Sequence, residues 1–160
     1  MAGHTDNSVV IDKPLDEVWE RMNDLDNWTN LFTEYSSVEV LERKGNTVQF
    51  RLTTHPDPDY DGQVWSWVSE RTMDPENHTT KSHRIETGPF EYMNIHWTYE
   101  EIATGVRMRW RQEFAMRPEA PVDDAGMTER INANTPVQMK LIKQKVEAAH
   151  EGARTAGGRS

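Results

Sequence analysis

The spacing of hydrophobic positions changes along the 160-residue chain. Residues 8–11 form a short apolar run that is typical of a strand. After Pro14, which suits the first turn of a helix, apolar residues recur every three or four positions and predict a helix with one apolar face. A second short helix is predicted from Asp24. From Tyr35 the apolar residues alternate with polar ones, which predicts strands.

Six strands are predicted after the two short helices, separated by Gly, Pro and Asn turn signals. The first two contain residues 38–40 and 48–52, and the other four span about 63–73, 78–87, 90–101 and 105–116. Residues 56–62 between the second and third of these strands predict a loop. The short connections favour antiparallel neighbours.

The last predicted element is a helix that Asp123 or Asp124 can cap and that reaches about residue 151. Pro136 is expected to bend it unless a neighbour replaces the lost hydrogen bond. This order predicts an α+β helix-grip fold, a curved antiparallel sheet of about seven strands around the long C-terminal helix. Asn134 and Gln138 lie on the inner stripe of the helix, so we predict a partly polar interior cavity.

Composition and short sequence motifs exclude several classes of function. The chain has six Trp but no Cys, and its net charge of −9 with no basic stripe argues against nucleic acid as a partner. The His residues lack metal-ligand spacing, and phosphate-loop and dinucleotide motifs are absent, so no metal or organic cofactor is predicted. Without a signal peptide or a membrane helix, we expect a cytoplasmic protein with no membrane partner. One domain at 1–152 and a flexible tail at 153–160 are predicted.

The strand around residues 64–71 carries the most informative pattern. Alternation places Trp65, Trp67, Ser69 and Arg71 on one face. Either this strand is half-buried with Arg71 extending to the solvent rim, or the guanidinium points into a cavity towards substrate oxygens. Because Arg stays protonated, it would polarise a ketone and stabilise the enolate rather than donate a proton.

Four other side chains each have two interpretations. Arg84 is either a surface partner of Glu86 or a second cation near the cavity. Trp28, Tyr35 and Trp97 suit core packing as well as the wall of a pocket that stacks on planar rings. If Tyr35 approaches Arg71, its pKa should drop, and its phenol could exchange protons with an enol or alcohol.

At these residues the chain resembles the single-domain bacterial aromatic polyketide aromatase/cyclases, including the tetracenomycin and spore-pigment members. The resemblance runs from Thr5 to about residue 151. It is carried by residues 31–35, 64–69, 83–90, 92–99 and 108–114. It implies a fold related to START and Bet v 1-like proteins, with an interior pocket.

The resemblance also implies an activity and partners. The substrate would be a linear poly-β-ketone tethered to an acyl carrier protein, with other type II polyketide synthase subunits as partners. The reaction would be a lyase-type, first-ring aldol cyclisation of the C9–C14 type with dehydration to an aromatic ring, in some members with a second ring. Such reactions belong to spore-pigment and antibiotic biosynthesis.

The resemblance assigns roles to particular residues. Arg71 and Tyr35 would be catalytic. The substrate-binding set would be Trp28, Phe32, Trp65, Trp67, Ser69, Arg84, Met93, Trp97 and Asn134. Residues 56–61 are longer than in the tetracenomycin member, so the preferred chain length cannot be carried over.

Two other functions fit the same residues. A non-catalytic carrier of the same fold would shield a lipid or polyketide in the cavity, and Arg71 and Tyr35 would bind its polar end. A structural partner of the synthase would not depend on cavity residues at all. A basic patch for carrier-protein docking could come from Arg43 and Lys44, or from Lys140, Lys143 and Lys145.

Overall fold

Seven antiparallel strands form one curved sheet in the order β1-β7-β6-β5-β4-β3-β2. The structure is a computed structural model that describes residues 2–56 and 62–148. The strands are β1 (Gly3–Ile11), β2 (Tyr35–Lys44), β3 (Thr47–Thr54), β4 (Ser66–Asp74), β5 (Thr79–Arg84), β6 (Phe90–Ile102) and β7 (Gly105–Met116). The predicted strand count and antiparallel pairing are therefore confirmed.

Two short helical segments connect β1 to β2, and one long helix follows β7. They are α1 (Leu15–Met22), a 3₁₀ turn (Leu25–Asn27) that leads into α2 (Trp28–Leu31), and α3 (Asp124–Ala148). The Asp123 carboxylate accepts a hydrogen bond from the Gly126 N–H at 2.8 Å and caps α3, as predicted. The helix continues through Pro136.

The bounds of β4 and β5 differ from the prediction. The strand predicted at 78–87 ends at Arg84, because the N–H groups of Ile85 and Glu86 both donate to the Val68 carbonyl, at 2.8 and 3.1 Å, and the regular ladder stops there. The strand predicted from residue 63 begins at Ser66. The predicted loop at residues 57–61, the helix end near residue 151 and the tail at 153–160 lie outside the described residues.

The core lies between the concave face of the sheet and the helices. Its larger cluster joins α1, the α2 region, the inner faces of β3, β6 and β7, and α3. A smaller cluster near the start of α3 contains Phe90, Met93, Phe114 and Met116. Ile95 packs against both clusters. Every residue predicted for the site except Asn134 is at least half-buried on this side of the molecule.

No helix within the described residues is long and apolar enough to cross a membrane.

Candidate active site

Arg71 lies in the interior, on β4, and is 1% exposed. The alternative in which it extends to the solvent rim is therefore wrong. Its neighbour across the ladder is Ser82 on β5, and Thr80 follows on the same face. These small side chains leave room for the guanidinium to reach Trp97 on β6. Its central carbon lies 4.5 Å from the Trp97 ring and 5.1 Å from the Trp28 ring.

The Arg71 guanidinium is held by a neutral partner. Its Nη2 donates to the Asn23 side-chain oxygen at 2.8 Å. Among the described residues, no ion pair involves Arg71, and its buried Nε has no hydrogen-bond partner. Burial lowers the pKa of Arg71, but a guanidinium remains charged at neutral pH. The interior thus holds a positive charge that no carboxylate offsets.

Tyr99 is the phenol beside this guanidinium. Burial raises the pKa of Tyr99 to about 12, with the Arg71 charge acting in the opposite direction. The hydroxyl lies close enough to influence the guanidinium, yet no hydrogen bond of acceptable geometry joins the two groups. The Tyr99 hydroxyl and Arg71 Nε are therefore two buried polar groups without a partner among the described residues. Both can donate to a substrate oxygen.

Aromatic rings cover this polar pair. Trp97 and Trp110 are cross-strand neighbours and stack at 4.3 Å with their planes 9° apart. Phe32 extends the stack, 5.9 Å from Trp110 and 6.3 Å from Trp97. Trp28 stacks on Trp97 at 5.9 Å and donates its indole N–H to the Met22 carbonyl at 3.0 Å. A planar ring system placed here would meet the faces of several parallel rings.

Tyr35 occupies a different part of the site. It stacks on Phe32 at 5.2 Å and meets Trp67 edge-on at 6.2 Å. Burial raises the pKa of Tyr35 well above its usual value. Glu34 raises it further, and Arg84 opposes the shift. The condition for the predicted fall of this pKa, an approach of Tyr35 to Arg71, is not met, because the cation that influences Tyr35 is Arg84.

Arg84 provides a second, half-buried cation. Its central carbon lies 4.1 Å from the Trp67 ring and 4.6 Å from the Phe90 ring. Burial lowers the pKa of Arg84 to about 10, so the group is charged at neutral pH. The alternative of an Arg84–Glu86 surface pair is wrong, because Glu86 forms a bidentate pair with Arg51 at 2.8 and 2.9 Å.

Glu34 adds a carboxyl group that the sequence analysis did not select. It is half-buried, and burial raises its pKa, while the neighbouring Asn134 side chain and the Arg84 charge lower it. Asn134 itself is exposed, so it lies at the rim rather than inside. The buried polar residues described on α3 are Thr135 and Gln138, and the Gln138 side-chain nitrogen donates to the Thr33 hydroxyl at 3.2 Å.

The other predicted binding residues lie on β4, just before it, and on β6. Ser69 is buried on β4, in register with Phe50 on one side and Arg84 on the other. Trp65 is half-buried just before β4, and its carbonyl accepts from the Thr54 N–H at 2.9 Å. Met93 is buried in the smaller core cluster, and its sulfur accepts from Gln112 at 3.8 Å.

Two surface cavities lie away from these residues. One of about 530 Å³ is formed by residues from Met116 to Gly126 around the start of α3. Another of about 310 Å³ lies on the sheet near Glu42 and Glu70. Neither is lined by a predicted site residue, and the predicted wall residues contact one another directly. The open interior cavity therefore stays a prediction, and a ligand between the rings would have to separate them.

Sequence reasoning missed four residues that complete this arrangement: Asn23, Glu34, Tyr99 and Trp110. Tyr99 carried a signal, since strand alternation placed it on the Trp97 face. Trp110 could have been found from the same alternation on β7. Asn23, at the end of α1, had no signal, because its role depends on a side chain 48 positions away.

The donor set suits organic oxygen rather than a metal. No group of three or more His, Cys, Asp or Glu side chains capable of holding a metal ion occurs within residues 2–56 and 62–148. The site offers a buried cation, a phenol and stacked rings, which together can bind a carbonyl or enolate oxygen on a flat, apolar molecule.

Comparisons with known proteins identify relatives of this chain. The family model described as "Polyketide cyclase / dehydrase and lipid transport" matches residues 11–138. A Streptomyces cyaneus protein named "Putative polyketide cyclase" is 60% identical over 147 residues, covering 92% of this chain and 95% of that protein. The bifunctional cyclase/dehydratase of the actinorhodin polyketide synthase of Streptomyces coelicolor is 27% identical, covering 81% of this chain and 39% of that protein.

The fold has matches among solved structures. The ZhuI aromatase/cyclase from Streptomyces sp. R1128 superposes with a TM-score of 0.80 at 20% identity, covering 99% of both chains. The predicted START/Bet v 1-like helix-grip fold is thereby confirmed.

Proposed function

The chain belongs to the polyketide cyclase / dehydrase and lipid transport family, and from this premise we propose that it binds a carrier-tethered linear poly-β-ketone and closes its first ring. The proposed reaction is an aldol cyclisation of the C9–C14 type, followed by dehydration to an aromatic ring. The substrate would lie between the concave face of the sheet and α3.

The observation that carries this proposal is the Arg71 guanidinium. It is fully buried between two indole rings, its hydrogen-bond partner is a neutral amide, and its Nε is left without a partner among the described residues. Keeping an unpaired charge in an apolar interior is costly for folding. Such a cation can stabilise the negative charge that develops on a substrate oxygen during the reaction.

The proposed chemistry balances without a cofactor. An enol carbon of the chain attacks a ketone carbon and a C–C bond forms; the enol hydroxyl becomes a ketone as its proton is released to water, and the oxygen of the attacked ketone takes the negative charge beside Arg71. That oxygen gains a proton to become an alcohol, and loss of water then leads to the aromatic ring. We assign to Tyr35, which stays protonated because its pKa is raised, the relay of this proton through water, since the phenol directly beside Arg71 is Tyr99.

The aromatic residues would select the conformer that reacts. Trp28, Phe32 and Trp97 pack against one another, and a bent chain or planar product that separates them would contact their ring faces. Holding the two reacting carbons together supplies much of the rate by proximity. Trp65, Trp67, Ser69, Arg84, Met93 and Asn134 are assigned to the rest of the chain, from the interior to the rim.

The carrier protein would dock outside this region. Of the lysines considered for docking, Lys143 donates to the Val10 carbonyl at 2.7 Å and to Glu147, and Lys145 donates to the Asn30 carbonyl. These contacts hold α3 to β1 and to the α2 region. Lys140, Arg43 and Lys44 are exposed and stay the better candidates.

The test adds the purified protein to a minimal polyketide synthase and compares the products by chromatography and mass spectrometry. We expect the wild type to shift the products towards a single first-ring regiochemistry and Arg71→Ala to lose this shift. Arg109→Ala is the matched control, because Arg109 is exposed on the sheet and pairs with Asp6.

Two outcomes would contradict the proposal. If the wild type leaves the products unchanged but binds them, the protein is a carrier. If Arg71→Ala directs cyclisation as well as the wild type does, the guanidinium has no part in the reaction.

A further inference from the structure

We infer that Asn23 is a positioning residue that holds the Arg71 guanidinium while leaving its charge unneutralised. The inference rests on the proposed function and extends it to a residue outside the predicted site. Asn23 lies at the C-terminal end of α1 and is half-buried. Its side-chain oxygen is the acceptor for Arg71 Nη2 at 2.8 Å.

The orientation of the Asn23 amide is fixed by its two neighbours. Its nitrogen donates to the Trp19 carbonyl at 2.9 Å, so its oxygen has to face Arg71. The Trp19 ring meets the Tyr99 ring edge-on at 5.3 Å. A chain of contacts thus runs from Tyr99 through Trp19 and Asn23 to the Arg71 guanidinium, so the end of α1 contacts both residues that can donate to a substrate oxygen.

An amide at this position has a chemical advantage over a carboxylate. Aspartate would accept the same hydrogen bond but would form a buried ion pair and offset the charge. The guanidinium would then stabilise an oxyanion less well, because the negative charge of the carboxylate would cancel part of its positive potential. The neutral amide fixes the geometry and leaves the charge available to the substrate.

The experiment measures products from the minimal polyketide synthase and the thermal unfolding midpoint for Asn23→Asp, Asn23→Ala and Asn23→Ser. We expect the yield of correctly cyclised product to fall about tenfold or more for Asn23→Asp and about threefold to tenfold for Asn23→Ala. Asn23→Ser, which keeps a neutral acceptor, should retain the most activity. The order should not follow the unfolding midpoints.

Asn132→Asp is the matched control. It adds the same charge at an exposed position of α3, where the side-chain oxygen already accepts from Asn7 at 3.1 Å. We expect this variant to give the wild-type product pattern.

Equal losses in Asn23→Asp and Asn132→Asp would overturn the inference, as would losses that follow the unfolding midpoints. If Asn23→Asp does not fold, equal yields from the Ser and Ala variants would overturn it. Arg71→Ala separates the two proposals. Wild-type products from Arg71→Ala contradict the proposed function, whereas loss in Arg71→Ala with none in Asn23→Asp contradicts only the role of Asn23.

Discussion

Arg71 and Arg84 are two arginines on the same face of neighbouring strands, yet they have different surroundings. Arg71 is fully buried, touches two indole rings and binds a neutral amide. Arg84 is half-buried, lies over Trp67 and Phe90, and experiences the charge of Glu34. Within the described part of the chain, Arg71 therefore has no carboxylate partner, whereas Arg84 has Glu34 nearby.

The difference indicates that Arg71 and Arg84 have different roles. A cation without a counter-charge suits the atoms where charge develops during the reaction. A cation with a nearby carboxyl group suits binding and orientation, since its field is partly offset before the substrate arrives. The predictions below test whether the two regions differ in this way.

Replacing the aromatic residues should show the largest difference in stability. Trp97→Ala removes a buried ring that contacts Trp28, Phe32, Trp110 and Arg71, and we expect a loss of about 3–5 kcal/mol in the free energy of unfolding. Trp67→Ala removes a half-buried ring and should cost about 1–2 kcal/mol. Guanidinium-induced unfolding followed by circular dichroism measures both. Equal losses would show that the interior and the rim are not distinct.

Replacing each arginine by methionine should separate activity from stability. Arg71→Met should lower the yield of correctly cyclised product by about 100-fold or more. The same change removes a buried charge and should leave the unfolding midpoint equal or higher. Arg84→Met should reduce the yield less, because Arg84 is assigned to binding. The product assay and a thermal melt of each variant check this. A larger loss from Arg84→Met would reverse the assignment.

The pH dependence of stability should depend on Glu34. The pKa of Glu34 is raised in the folded protein. The stability that Glu34 contributes is therefore fully present below its pKa in the unfolded chain, about 4.3, and is lost as pH rises through its pKa in the folded protein. The unfolding midpoint of the wild type relative to Glu34→Gln should therefore fall as pH rises from about 4 towards neutrality.

The same measurement compares the two arginines. Arg84→Met removes a charge that lowers the pKa of Glu34. In this background, the fall of the unfolding midpoint relative to Glu34→Gln should therefore extend to higher pH. Arg71→Met should leave the fall unchanged. A difference between wild type and Glu34→Gln that does not vary with pH would show that Glu34 titrates normally.

The smallest expected effect concerns the phenols. The pKa of Tyr35 is raised well above 10, and that of Tyr99 is raised to about 12, so neither should ionise below about pH 10 while the protein is folded. The phenolate absorbance of Tyr35→Phe should follow that of the wild type up to that pH. If the wild type shows phenolate absorbance below about pH 10 and Tyr35→Phe does not, Tyr35 ionises with a lowered pKa, as the sequence analysis expected for a Tyr35 close to Arg71.

Most of the fold could be predicted from the sequence because alternation and helical periodicity are local signals. The long strands and the cap of α3 at Asp123 were found in this way. The end of β5 at Arg84 was not, because it depends on two N–H groups that share the Val68 carbonyl on another strand.

The candidate site was less predictable for a related reason. Alternation on β4 placed Arg71 and Trp67 on the inner face, but it could not show which phenol lies beside which cation. The pair Arg71–Tyr99 depends on how far the two side chains reach across β5, and the pair Arg84–Tyr35 depends on how far they reach across β4 and β3. The contact between Asn23 and Arg71 joins a helix end to a strand, and no sequence period describes such a contact.

The segment between α1 and β2 supplies Trp28, Phe32 and Glu34 to the candidate site, and Tyr35 follows as the first residue of β2. Apart from its core packing, side-chain contacts such as that between Thr33 and Gln138 hold it to α3. Substitutions in this stretch could therefore change the space available to a ligand without altering the backbone hydrogen bonds of the sheet. An engineer who wishes to alter product shape would begin with these few codons.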